Sequence, residues 1–128
     1  MDERTAEILD RFIKSWSDTE KFYDDLITNY RGLEKLKPLR QYISALIQQG
    51  EDKYFRAGTS LHMLILSRSV DFGLRKDQKY LKIETIDAND FEVILRNGKE
   101  VYQEYRINNL NDYRLTNLLQ TLKHTLVD

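Results

Sequence analysis

The hydrophobic period of this chain changes once, near Tyr54, from about 3.6 residues to 2, and that change limits the folds open to it. Before the change, Ile8, Leu9, Phe12, Ile13 and Trp16 fall at the offsets of one helix face. Phe22, Tyr23, Leu26, Ile27 and Tyr30 repeat those offsets. Leu9, Trp16, Tyr23 and Tyr30 recur at a heptad spacing, as one continuous helix would place them. Ser17-Asp18-Thr19-Glu20 instead reads as a capping box that starts a second helix. Residues 1–32 are therefore a helical arm of one bent helix or two, stopped by a left-handed Gly32. A further helix spans 38–50. Pro38 suits its first position, Leu39, Tyr42, Ile43, Leu46 and Ile47 form its stripe, and Gly50 ends it.

After the change the pattern is that of strands. Leu61-His62-Met63-Leu64-Ile65-Leu66 is the one nearly uninterrupted apolar run, too short for a surface helix and suited to a strand covered on both sides. It marks the middle of the fold. Leu81, Ile83 and Thr85 alternate with charged residues, as do Phe91, Val93 and Leu95, and Val101, Tyr105 and Ile107 follow at even spacing. Asp87-Ala88-Asn89-Asp90 and Asn97-Gly98 are turn signals, so the strands of 54–108 join as hairpins. At Asn97-Gly98 a plain two-residue turn would put Phe91, Val93 and Leu95 on the face of Glu100, Tyr102 and Glu104. Moving the register by one residue pairs them with Val101, Gln103 and Tyr105, which predicts a bulge with Gly98 left-handed. The other sheet face then carries Tyr80, Lys82, Glu84 and Arg96. A last helix over 111–127 presents Leu115, Leu118, Leu119, Leu122 and Leu126, capped by Asn109 or Asn111. The expected fold is a single α+β domain over 1–128: N-terminal helices, a four- to five-stranded antiparallel sheet, and a C-terminal helix packed on one face.

Composition narrows function by exclusion. The chain has no cysteine, so disulfides, thiolate nucleophiles and thiolate metal sites are ruled out, in keeping with a cytoplasmic protein. A net charge of −1 gives no general attraction to nucleic acid or to an anionic membrane. No stretch approaches the ~20 apolar residues of a membrane span, and no basic-then-apolar leader opens the sequence. No glycine-rich phosphate loop or metal-ligand spacing is present, and no cofactor is implied.

Four features remain. Arg56, Ser60, His62 and Arg68 flank or lie in the apolar run; on one extended strand Ser60, His62 and Arg68 would share a side. An imidazole near a hydroxyl is a general-base arrangement, and two guanidiniums hold an anion. The plainer reading is a sheet histidine between solvated arginines. Ser69 to Gln78 is long for a hairpin loop, unless Val70, Phe72 and Leu74 simply extend a strand. Its Asp71-Phe72-Gly73 matches a kinase tripeptide, but no other kinase motif accompanies it. Lys79, Tyr80, Lys82, Tyr102 and Arg106 interleave aromatics with cations, the composition that stacks on single-stranded bases. Glu84, Glu92, Glu100 and Glu104 on the same strands oppose that use and favour a solvated face. Phe12, Trp16, Tyr23 and Tyr30 form an aromatic stripe that either packs on the sheet or meets another protein or a second copy in a homodimer. The sequence-based expectation is a small binding or regulatory module, such as an adaptor, inhibitor or immunity-like protein, that recognises a protein surface without catalysis. The alternative is an anion- or small-ligand-binding protein or enzyme using Arg56, Ser60, His62 and Arg68.

Overall fold

Between Glu3 and Asn29 the chain forms one uninterrupted 27-residue helix, α1, in the computed structural model, which describes residues 3–69, 79–97 and 100–125. The capping box is not used. Glu20 reaches Arg40 of the next helix at 3.0 Å instead of turning back to Ser17, and Arg40 also donates to Asp24 at 2.8 Å. Thr19 is buried, and its hydroxyl donates to the Ser15 carbonyl one turn back, a bond that only a continuous helix provides. Gly32 follows at φ +83°, the left-handed stop that the pattern predicts.

A single 3₁₀ turn, Glu34–Leu36, leads into α2, Lys37–Gln48, with Pro38 in its first turn. Gly50 leaves that helix at φ +81°. The strands follow: β1 Arg56–Ser60, β2 Met63–Ser67, β3 Lys79–Asp87, β4 Asp90–Asn97 and β5 Glu100–Ile107, then α3 Tyr113–Lys123. The sheet order is β1-β2-β3-β4-β5, every neighbouring pair antiparallel. The architecture is α+β, with N-terminal helices, a five-stranded antiparallel sheet and a C-terminal helix.

The apolar run divides in two. Leu61 and His62 are the turn of the β1–β2 hairpin, and only Met63 onward is strand. Leu61 has a positive φ of 54° and is 82 % exposed. The run therefore begins outside the core, and β2 is the second strand rather than the central one. From Leu64 to Ser67 every residue is buried, so the expected cover on both faces holds for that part.

The register sorts the sheet residues. Leu64, Leu66, Leu81, Ile83, Phe91, Val93, Leu95 and Ile107 share the inner face. They form one core with Trp16 and Tyr23 of α1, Leu39, Ile43 and Leu46 of α2, and Leu115, Leu118 and Leu122 of α3. Tyr80, Lys82, Glu84 and Arg96 stand on the other face, as the alternation predicts; Ile65 and Ile94 stand there too, yet are buried. At the last hairpin the expected inner-face pairing is right in parity and two residues short in register. Leu95 pairs with Gln103, Val93 with Tyr105 and Phe91 with Ile107. The ladder shifts between Leu95 and Arg96, which pairs with Val101, leaving Tyr102 as the extra residue of the bulge. Gly98 lies outside the described residues. The α3 cap is neither Asn109 nor Asn111: Asp112 accepts from the Arg114 backbone N–H at 2.9 Å, while Asn109 accepts from the Asn111 N–H in the preceding turn. Leu126 lies outside the described residues.

Candidate functional site

The first strand fixes the geometry of the site through α1. Trp16 is buried, and its indole N–H donates to the Phe55 carbonyl at 2.8 Å. One residue earlier on the helix, Ser15 Oγ accepts the Ala57 backbone N–H at 2.9 Å and donates to the Phe12 carbonyl. Two turns on, Tyr23 OH donates to the His62 carbonyl at 3.0 Å. These bonds lay α1 along the free edge of β1 and satisfy an edge donor that would otherwise meet water or another chain.

Helix and hairpin do not close completely. Between them runs an open groove of about 480 Å³. Its helix wall is Ser15, Asp18, Thr19 and Phe22, which helical spacing puts on one face. Its floor and far wall come from β1 and β2: Arg56, Gly58, Ser60, Ile65 and Ser67, all on the face away from the main core. Gly58 stands opposite Ile65. Its φ is not positive, and a Cβ there would meet no atom of the described residues within 4 Å beyond its chain neighbours. Among the described residues, Asp18 has no ion pair.

The four residues expected to act together are distributed over three places. Arg56 and Ser60 share the groove but are four strand positions apart, roughly 13 Å. The His62 side chain is exposed at the hairpin turn. Arg68 turns to the helix side, where Nε donates to the Thr125 carbonyl at 3.0 Å and Nη1 to the Tyr54 carbonyl at 2.7 Å. Burial lowers its pKa, but a guanidinium stays charged at any physiological pH. Arg68 thus ties the end of α3 to the approach of β1. On one straight strand through 61–66 these residues share a side; the turn at Leu61-His62 separates them.

In the aromatic stripe, Phe12, Trp16 and Tyr23 are each at most 1 % exposed inside this chain, and Tyr30 is 55 % exposed just past α1. Burial drives the Tyr23 and Tyr42 phenols well above their ordinary pKa, with the nearby Glu51 carboxylate adding to the effect on Tyr42. On the sheet surface Arg106 and Lys79 have partners. Arg106 Nη2 donates to Asp90 at 2.7 Å, and that bond holds the Asp90 carboxyl below its usual range. Lys79 lies 6.0 Å from the Tyr102 ring. Of the long loop, Ser69 is buried; 70–78 lie outside the described residues. No group of three His, Cys, Asp or Glu among the described residues is placed to hold a metal ion, and none of the described helices is long and apolar enough to cross a membrane.

The opposite edge of the sheet is built differently. Five consecutive residues of β5, Glu100 to Glu104, are exposed, and only Ile107 of this strand is buried. Val101 is 48 % and Tyr102 62 % exposed. No described element pairs with the outer side of β5.

Sequence reading missed Asp18, Gly58 and Ile65 as a group. Two of the signals were present: an acid one turn from Ser15, beside the apolar stripe, and a glycine inside a strand. What the sequence lacked was the pairing of α1 with β1. Comparison with known proteins adds nothing to these geometries: no family model, no curated protein and no solved structure matches the chain.

Proposed function

We propose that this protein is a non-catalytic recognition module that binds an extended segment of another protein along β5. One observation carries the reading: the two sheet edges are treated differently. The β1 edge is held against α1 through Ser15, whereas β5 pairs with β4 alone among the described strands and is exposed at five consecutive residues. An open edge strand is a template for strand addition, in which main-chain hydrogen bonds give affinity and alternate side chains give specificity. Val101 and Tyr102 offer apolar contact at the centre of such an interface. Glu100, Glu104 and the bulge oppose indiscriminate pairing with other edges.

Site-specific photocrosslinking in cells tests this. A photoreactive residue at Tyr102 is expected to capture one discrete partner. The same residue at Lys14, on the exposed side of α1, is expected not to. Adding Glu104→Pro, which removes a backbone donor from the strand, should abolish capture while leaving the circular dichroism spectrum native. Equal labelling from both positions, no product at Tyr102, or a crosslink only to a second copy of this chain would each count against recognition of a different protein.

A further inference from the structure

We propose that the groove between α1 and the β1–β2 hairpin binds a small primary amine with an apolar body. This site is separate from β5, and the proposal stands without strand addition.

The argument begins at Gly58. Glycine inside a strand costs stability, and it is normally explained by a backbone that needs positive φ or by a crowded neighbour. Neither applies: φ is not positive and a Cβ would meet open space. What the missing side chain preserves is the floor of the groove beside Ile65. The volume, about 480 Å³, lies within the ~300–1,000 Å³ range of small-molecule sites. Phe22 and Ile65 supply apolar walls for a ring or short alkyl chain.

Polarity then selects the ligand. The Ser15 hydroxyl donates to the Phe12 carbonyl and accepts the Ala57 N–H, and the Thr19 hydroxyl donates to the Ser15 carbonyl, so both protons are committed and a ligand meets these oxygens only as acceptors. Asp18 is the acid on the wall, without an ion pair among the described residues, and an ammonium is its natural partner. Arg56 is the base of the lining. With its ammonium at Asp18, the ligand lays its apolar body over Gly58 and Ile65. An anionic ligand would meet the opposite field at Asp18.

The probe is 2-phenylethylamine, compared with 2-phenylethanol and phenylacetate, followed by amide chemical shifts of the intact protein. The amine is expected to move the resonances of Asp18, Phe22 and Gly58 to Ser60, and to bind about two- to fivefold more tightly than the alcohol, the advantage of an ion pair to an exposed carboxylate. Gly58→Val should remove these shifts with a native spectrum otherwise; Gly58→Ala should weaken them. Asp18→Asn should bring the amine down to the level of the alcohol. The proposal fails if no probe shifts these residues up to about 10 mM, if phenylacetate binds best, or if Gly58→Val binds the amine as the parent protein does.

Discussion

At the scale of single residues, polar atoms inside the core decide most of what can be tested. Thr85 is buried on the inner face opposite Phe91, and its hydroxyl has no hydrogen-bond partner among the described residues. Thr85→Val keeps the shape and removes an orphaned hydroxyl, so stability should rise by about 1 kcal/mol in urea unfolding. A loss of stability would mean that the hydroxyl has a partner in solution. Tyr23 is the converse case, since its hydroxyl anchors the His62 carbonyl. Tyr23→Phe should cost about 1 kcal/mol near neutral pH. The same residue sets an alkaline limit. An unfolded tyrosine loses its proton near pH ~10, whereas the folded Tyr23 and Tyr42 keep theirs. Above that pH the unfolded state binds fewer protons than the folded one, so stability is full below pH ~10 and declines as pH rises further. The decline should be shallower in Tyr23→Phe, as unfolding at about pH 8 and about pH 10.5 would show. An unchanged decline would place the titration elsewhere.

At the scale of elements, α1 shows why local signals lose to tertiary partners. Ser17 to Glu20 has the composition of a helix start, yet Glu20 pairs with Arg40 and Thr19 is buried. Ser17 itself is exposed in mid-helix. Ser17→Ala should therefore be neutral or stabilising by a few tenths of a kcal/mol, because alanine is the better interior residue. Were Ser17 a working cap, the same change would cost about 1 kcal/mol. The hairpins follow the same logic. The parity of β4 against β5 could be read from which residues must be buried, because a one-residue slip exposes them all. The pairing two residues further on could not, because either register buries the same β4 residues, and the bulge at Tyr102 chooses between them.

At the scale of the whole molecule, α1, α2, the sheet and α3 share one hydrophobic core, so they should unfold together. Trp16 is the chain's single tryptophan and reports on α1, while far-ultraviolet circular dichroism reports on all elements. Their urea transitions should coincide. In Leu66→Ala, at the centre of the inner face, both should move to lower urea together, by about 2–5 kcal/mol. Separate transitions would show that α1 docks independently of the sheet. The two candidate surfaces also belong to this scale. The groove exists because α1 meets β1 on one side only, and β5 is open because it lies at the far end of the strand order from the edge that α1 covers.

The sequence alone determined the order of helices, then strands, then a helix, the α+β class, the antiparallel pairing, the Gly32 and Gly50 helix stops and the inner-face residues of β3 and β4. Each of these follows from the period of apolar residues or from the backbone freedom of glycine, which are local properties. Tertiary structure decided that α1 is one helix, that Leu61 and His62 form a turn, that Arg68 serves two backbone carbonyls, and that Asp18, Gly58 and Ile65 border one space. Those outcomes depend on partners distant along the chain, such as Arg40 for Glu20 and Ala57 for Ser15, and no local pattern carries the free energy of a contact not yet formed.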